Sequence, residues 1–534
     1  MMKILGMAGG MHSCGISTLK DGKPELVLEE ERHNRIRTYK DFYNDIYRYP
    51  FESGQNVWYL NDWDWEGFDY ITSTDDYDIF NLTWKGVGLG PLPKEKYIKV
   101  NHHEAHCNLA YYCSGFEEDT LVISIDASGE LYNARYFLGS EGNLTPIGVN
   151  ENDKKSLGHY YSMLTEFIGF KRLKDEGKVV GMSSHGKFNQ EIYDVFNKCI
   201  TIKGINTDSD THKVLGGGVY QSFHSYWYYK FGSLYKEGIL EDIAFNGQLV
   251  FEEKILQLFN NIHDLYPNAK KLALAGGIFA NVKLNKKINE LDWVDEVFIA
   301  PPMGDEGLSL GCTLKVHKKY NPDFKPFKLD NIFLGTSYKD SDFKYDLSKF
   351  SKSPLDNNQL AQELKSGKII GWFQGRYEHG PRALCNRSII ADPTIPGTYK
   401  KINDRLQRND RMPFAPVVID KYANDVFDIK KSRYTAEFMT MLYDTKEKWQ
   451  DKIPAVVHPV DKTARIQIVT ENSNPKFYNL INKFYNITNT PVLLNTSFNV
   501  HGEPIVCHPK EAFVHLDNNI VDILVINNSI YTKK

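Results

Sequence analysis

Apolar residues fall along this chain in short blocks that close on small and polar residues. Residues 2–7 are mostly apolar, residues 8–15 are small and polar, and residues 16–28 resume an extended pattern broken at Lys20-Asp21-Gly22-Lys23. Runs of this length predict strands, and the Asp-Gly pair predicts a hairpin turn. A second strand-like run, residues 120–125, ends in Asp126-Ala127-Ser128-Gly129, and a third, residues 271–274, ends in Ala275-Gly276-Gly277. A two-lobed nucleotide-binding α/β fold presents its phosphate loops in this way, on small-residue turns at strand ends. Residues 318–326 are rich in Lys, Tyr, Pro and Phe, and residues 339–354 carry Ser, Asp and Lys with no apolar period, which predicts a linker at 340–355. Beyond it, residues 358–366 read as a helix and 368–373 as a strand, so the expected domains are 1–345 and 355–534. No repeat recurs at a fixed period of roughly 20–50 residues.

Composition narrows the class. At 534 residues the chain exceeds one ordinary core. At roughly 150 residues per domain three or four units are expected, or two large lobes with one duplicated. Apolar residues at 41% and charged residues at 25% belong to a folded globular protein rather than a disordered one. A formal net charge of -4 supplies no general basic field, which disfavours electrostatic binding of long nucleic acid but leaves room for a local basic pocket. No run of about 18 apolar residues occurs, and the start passes into a Gly-rich turn rather than an apolar leader, so a soluble, non-exported, cytoplasmic protein without a membrane partner is expected. The seven cysteines form no CxxC pair and are odd in number, which argues against a disulfide framework and against a thiolate zinc site.

In Asn101-His102-His103-Glu104-Ala105-His106-Cys107 a helix would put His102 and His106 one turn apart on the same face, where two imidazoles share a metal or simply decorate a polar helix. Asp126, at a strand end, and Asp305, in Gly304-Asp305-Glu306-Gly307, are the natural carboxylate partners, or else turn and cap residues. Two His and two Asp suit iron, manganese or zinc better than calcium. Gly276-Gly277 and the following Asn281 allow backbone to approach a nucleotide or make a plain strand-to-helix connection. The segment from Lys178 to Met182 reads as part of an adenine-ribose pocket or as a short strand. The densest polar cluster, residues 371–387, carries Arg376, His379, Arg382 and Arg387 on a Gly/Pro-interrupted stretch after a strand. Guanidinium forks match phosphate or carboxylate bidentately. Arg411, Arg465 and the loop holding Asn495, Ser497, Asn499 and His501 add further cations and polar groups.

These residues, in this order, resemble the NodU/CmcH/TobZ-type O-carbamoyltransferases over nearly the whole chain. The matching stretches are residues 9–13, Glu30-Glu31-Arg32, the His102/His106 motif, Asp126 with Ser128-Gly129, residues 177–181, 276–281, 304–307, 371–392, 413–416, 463–465 and 495–504. The resemblance implies an N-terminal duplicated ASKHA-type (actin-like ATPase) domain and a C-terminal YrdC-like α/β domain. It implies ATP with Mg2+ and carbamoyl phosphate as substrates. Carbamoyl phosphate would bind Arg376, His379, Arg382, Arg387, Arg411, Arg465, Asn495, Ser497, Asn499 and His501, and be cleaved to carbamate, which attacks the α-phosphate of ATP to give carbamoyl adenylate and pyrophosphate. The N-terminal domain would bind nucleotide through Ser128, Gly129, Lys178, Gly276, Gly277 and Asn281. A metal on His102, His106, Asp126 and Asp305, Fe2+ ahead of Mn2+ or Zn2+, would act there as a Lewis acid. His12, in the first Gly-rich loop, is the expected general base on the acceptor hydroxyl, or a structural loop histidine. The resembled proteins often carry Arg or Lys where this chain has His501, which implies a pH-dependent charge. A sugar, natural product or modified nucleotide is the expected small-molecule acceptor, and the oligomeric state stays open, a homodimer included. An ASKHA kinase or a tRNA threonylcarbamoyl-type transferase are the competing classes; the first predicts ADP as product, the second a basic surface that the charge does not suggest.

Overall fold

The first apolar blocks fold as the pattern predicts, into the strands Lys3–Gly9, Cys14–Lys20 and Lys23–Glu29, joined between the last two by the Asp21-Gly22 turn. The computed structural model describes residues 1–9, 14–35, 65–78, 81, 91–151, 156–209, 239–343, 345–408 and 412–534. His12 and Arg411 lie outside the described residues. The chain divides into two compact units, one of Met1–Val100, Glu306–Asn321 and Leu329–Lys534, the other of Asn101–Asp305 and Pro322–Lys328. This division follows packing rather than the linear boundary expected near 340–355: the first hundred residues belong with the C-terminal half.

Each unit carries a five-stranded sheet of the same topology. In the first unit the order is Lys23–Glu29, Cys14–Lys20, Lys3–Gly9, Tyr70–Ser73, Tyr97–Lys99. In the second it is Asn143–Glu151, Tyr132–Ser140, Thr120–Gly129, Lys271–Ala275, Glu296–Ile299. In both, the first three strands are an antiparallel meander and the last two run parallel to the third. Identical order and sense in two sheets is the mark of an internal duplication. The parallel strands read as continuous apolar runs because both faces are covered: Leu121, Val122, Ile123, Leu272, Ala273, Leu274 and Phe298 are all fully buried.

The first unit also holds a mixed eight-stranded sheet, in the order Phe350–Pro354, Ser529–Lys533, Ile523–Ile526, Ile370–Phe373, Arg387–Ala391, Val492–Ser497, Ala415–Ile419, Gln467–Val469. Helix Asn357–Lys365 starts at Asp356, whose carboxylate accepts from the Asn358 and Gln359 amides at 2.8 and 3.4 Å. It buries Leu360, Ala361 and Leu364 against Phe477, Leu480, Ile481 and Phe484 of helix Pro475–Thr488 and against Trp372 and Val417 of the sheet. Each fully buried Leu or Phe contributes roughly 1.5–3 kcal/mol.

Two expectations change here. The stretch read as a linker ends in the edge strand Phe350–Pro354, paired antiparallel with Ser529–Lys533; its first residue is buried and its other four are exposed, so an apolar period is missing for a physical reason. The segment containing Lys178 is not a strand but part of helix Glu176–Ser183. Among the described residues no helix is long and apolar enough to cross a membrane.

Candidate functional site

The HxxxH helix forms as the spacing predicts, spanning His102–Tyr112, with the Asn101 side chain capping its start by accepting from the Glu104 amide at 3.3 Å. His102 and His106 share one face, with ring centroids 4.9 Å apart. The helix lies on strand Thr120–Gly129, whose ladder with Tyr132–Ser140 is interrupted between Ile125 and Gly129. An irregularity of this kind re-aims side chains, and Asp126 is the first residue past the break. Its Oδ1 accepts from the Ala127 amide at 2.6 Å and its Oδ2 from the Gly277 amide at 3.0 Å, so the carboxylate is fixed before any ligand arrives. Asp305 comes from the loop after strand Glu296–Ile299.

The donor atoms of His102, His106, Asp126 and Asp305 all lie within 4.8 Å of one another. His106 Nε2 is 3.4 Å from Asp126 Oδ2 and 3.5 Å from Asp305 Oδ1, and His102 Nε2 is 3.5 Å from Asp305 Oδ1. These separations are too long for good hydrogen bonds, and both Nε2 atoms are buried without a hydrogen-bond partner. Ligands about 2.0–2.2 Å from a common tetrahedral ion are roughly 3.3–3.6 Å apart, so the residues present fit a divalent cation. Burial alone would lower the His106 pKa, but the facing carboxylates of Asp126 and Asp305 push it up to about 9. Burial alone would raise the Asp126 pKa, and the two histidines hold it well below the carboxylate range instead. Without metal, therefore, a proton on His106 supplies the positive charge that the two carboxylates demand.

The small residues around this cluster serve it directly. A Cβ on Gly129 would lie 2.6 Å from His102 Cδ2 and 2.7 Å from His103 Nε2, so only glycine lets the hairpin close against the helix. Gly276 has φ 109°, and a Cβ there would meet the Ile125 carbonyl oxygen at 2.2 Å. The turn expected to cradle a nucleotide thus also delivers the Gly277 amide to Asp126. Of the other expected nucleotide residues, Ser128 is exposed beside the break. Lys178 pairs with Asp175 at 2.9 Å. Asn281 caps helix Val282–Asn289 and exchanges hydrogen bonds with Gln248, so its amide is already engaged.

In the first unit the arginines separate into two kinds. Arg376 donates to the carbonyls of Gly335, Leu334 and Glu25. Arg387 is fully buried over the Phe373 ring at 3.5 Å and donates to the carbonyls of Gln374, Asn386, Gly375 and Thr336; burial lowers its pKa to about 10. These two cations bind the protein's own backbone. His379 does the same, donating from Nε2 to the Glu306 carbonyl at 2.9 Å, and burial lowers its pKa to about 4, so it stays neutral.

Arg465 differs. It is half-buried with a buried Nε that has no hydrogen-bond partner, and desolvation followed by the like charges of Arg382 and Arg408 depresses its pKa well below the guanidinium range. Among the described residues, the charges that act on it are those two arginines. Arg408, which the sequence reading missed, donates to Thr496 Oγ1 at 3.4 Å on strand Val492–Ser497. On the same strand Asn495 donates to the Ala383 carbonyl, next to Arg382, and to Gln467 Oε1, while its own Oδ1 is buried without a partner. Ser497 is half-buried at the strand end, Asn499 donates to the Val500 and Glu503 carbonyls, and His501 is exposed. Arg382 and Arg408 thus set two like charges against Arg465, and Asn495 reaches the carbonyl next to Arg382.

Two family models match the chain, the carbamoyltransferase N-terminus over residues 89–314 and the carbamoyltransferase C-terminus over residues 361–533. An uncharacterized protein of Methanocaldococcus jannaschii is 30% identical, the match covering 99% of each chain. The nodulation protein NolNO of Sinorhizobium fredii is 30% identical over 100% of this chain and 83% of its own length. The 3'-hydroxymethylcephem-O-carbamoyltransferase of Amycolatopsis lactamdurans is 28% identical over 57% of each.

Proposed function

Because the chain belongs to the carbamoyltransferase family and is a transferase, we propose that it carbamoylates a hydroxyl, taking the group from carbamoyl phosphate through an ATP-derived carbamoyl adenylate. The observation that supports this reading is a pair of unlike centres in separate units: a cluster of four donors that could hold a metal, and a half-buried arginine acted on by two like charges. A dianionic phosphoryl group is the chemistry that suits three neighbouring guanidinium charges. Bound there, its oxygens would offset the like charges of Arg382, Arg408 and Arg465, and Asn495 Oδ1 would accept an N–H of the carbamoyl end.

Water cleaves carbamoyl phosphate to carbamate and phosphate. A carbamate oxygen then attacks the α-phosphorus of ATP, whose bond to the bridging oxygen breaks and releases pyrophosphate. Carbamate is a poor electrophile, and AMP is the leaving group that the acceptor hydroxyl displaces. Shielding the adenylate from bulk water prevents its hydrolysis. In the second unit Gly276 and Gly277, having no side chains, would let a nucleotide approach the backbone, and His102, His106, Asp126 and Asp305 would hold a divalent ion, Fe2+ by preference over Mn2+ or Zn2+. When bound, the ion supplies Lewis-acid polarisation of adenylate oxygens. His12 is the proposed base that takes the acceptor proton. On this reading the duplicated sheets are an actin-like (ASKHA) fold and the eight-stranded sheet a YrdC-like one, the protein works in the cytoplasm, and ATP enters with Mg2+. The acceptor is a small molecule, a sugar or natural product ahead of a modified nucleotide; the cephem named for one relative carries a hydroxymethyl group, which supports an alcohol.

The test is incubation of the full chain with ATP, carbamoyl phosphate and Fe2+, following pyrophosphate and AMP by mass spectrometry. Pyrophosphate that depends on carbamoyl phosphate is expected. Its absence under every metal, or ADP in its place, sinks the reading. His102→Ala is expected to retain pyrophosphate release while losing transfer to acceptors.

A further inference from the structure

Three histidines crowd the start of the His102–Tyr112 helix, and the metal cluster uses two of them. The third, His103, is fully buried, and both of its ring nitrogens are engaged. Nδ1 is 2.8 Å from Ser124 Oγ, and Nε2 is 3.1 Å from the Tyr132 carbonyl oxygen. A carbonyl only accepts, so Nε2 carries a proton, while Nδ1 pairs with the Ser124 hydroxyl. Both ring nitrogens are therefore occupied by protein groups, with none left for a metal.

Its two anchors are not arbitrary. Ser124 lies two residues before Asp126, and both meet the same helix, Ser124 at His103 and Asp126 at His106. Tyr132 opens the returning strand, opposite Gly129, where the ladder resumes after the break that frees Asp126. His103 thus crosses from the helix carrying His102 and His106 to both sides of the irregular turn carrying Asp126. Gly129, which has room for no Cβ because of His102 and His103, shows how close that crossing is. The Ala127 and Gly277 amides orient the Asp126 carboxylate, but residues 126–128 have no ladder partner to Tyr132–Ser140, so the His103 link is what ties this turn to the helix of the two imidazoles.

We propose that His103 is a positioning residue for the metal centre: through Ser124 and Tyr132 it fixes the spacing between the His102/His106 pair and Asp126. This rests on the metal reading of the cluster. His103 touches neither ion nor substrate, and acts through the strand it holds. Groups that orient a metal's ligands from outside are worth roughly ten- to hundredfold in affinity.

The test uses Co2+ as the probe on the full chain, since four nitrogen and oxygen donors give it visible d–d bands whose position and intensity report coordination geometry. Two substitutions separate geometry from bulk. His103→Phe keeps the volume and removes both bonds; Ser124→Ala removes one bond at an interior strand position and leaves no large cavity. His103→Phe is expected to weaken Co2+ binding by roughly ten- to hundredfold and to shift the bands. Ser124→Ala is expected to do the same more weakly. His103→Gln, which retains a donor toward the Tyr132 carbonyl, is expected to recover part of the affinity and the wild-type band shape. Wild-type affinity and spectrum in His103→Phe, or in Ser124→Ala where His103→Phe fails to fold, overturns the proposal and leaves the metal reading standing. A wild-type protein that binds no Co2+ sinks the metal reading itself, and this inference with it.

Discussion

Replacing Arg465 by Met should make the protein more stable and less able to bind its donor. The side chain is half-buried, its buried Nε is unpaired, and two more arginines, Arg382 and Arg408, repel it. Such a charge opposes folding at every pH where it persists, because burial and repulsion both disfavour it. Exchanging buried ionic groups for apolar ones of similar size is neutral or stabilising by about 1–4 kcal/mol. In domains of about 150–250 residues each kcal/mol moves the melting temperature by roughly 2–4 °C, which sets the expected rise for Arg465→Met at several degrees without ligand. Inorganic phosphate or carbamoyl phosphate should reverse the order. At a hundred times its Kd a ligand stabilises the wild type by about 2.7 kcal/mol, while the variant should gain almost nothing. Differential scanning calorimetry with and without phosphate, together with titration calorimetry, reads both effects. A ligand-free variant that melts well below the wild type, yet keeps the phosphate-induced shift, would falsify the reasoning, for it would mean that Arg465 is an ordinary structural cation.

Arg387→Met should behave in the opposite sense, losing about 3–5 kcal/mol and much soluble yield, because it removes a buried cation and leaves four carbonyls without their donor; chemical denaturation checks the sign. Metal uptake should depend on pH through His106. Its folded-state pKa, about 9, stands above the ordinary 6.5, so in chelated protein the pairing with Asp126 and Asp305 is fully stabilising below about 6.5 and lost as pH rises through about 9. Because an incoming ion must displace that proton, Co2+ affinity should rise about tenfold per pH unit up to about 9 and then level; a flat profile from pH 6 to 9 refutes it.

Periodicity made much of this molecule legible. The opening hairpin, the His102–Tyr112 helix, the strands ending near Asp126 and Gly276, and the helix and strand after residue 356 all follow from apolar spacing and turn residues. What it could not show has physical causes. Phe350–Pro354 is an edge strand with four exposed side chains, so it has no apolar signal to read. Val179 and Val180 favour strands by χ1 stiffness, yet they are buried in a helix where packing outweighs propensity. The arginines were the hardest case. Sequence records a guanidinium but not the carbonyls that face it, so Arg376 and Arg387 looked the same as Arg465. Arg408 was overlooked although it directly precedes the polar sequence Asn409-Asp410-Arg411, and that adjacency was the available signal. His103 was passed over because the helix wheel turns it away from the metal pair.

The split of the first unit into Met1–Val100, Glu306–Asn321 and Leu329–Lys534 sets an order of events during synthesis. The continuous stretch Asn101–Asp305 holds most of one unit and can collapse while the ribosome is still translating. The first hundred residues cannot complete theirs until the last strands emerge, and at roughly 5–20 residues per second that wait is on the order of tens of seconds. During it, the edges of the opening hairpin are exposed to other nascent chains. The unit with the His102/His106 cluster matures early, and the unit begun first is finished last. A shortened chain beginning near residue 355 would thus leave behind the strands that belong to its own unit.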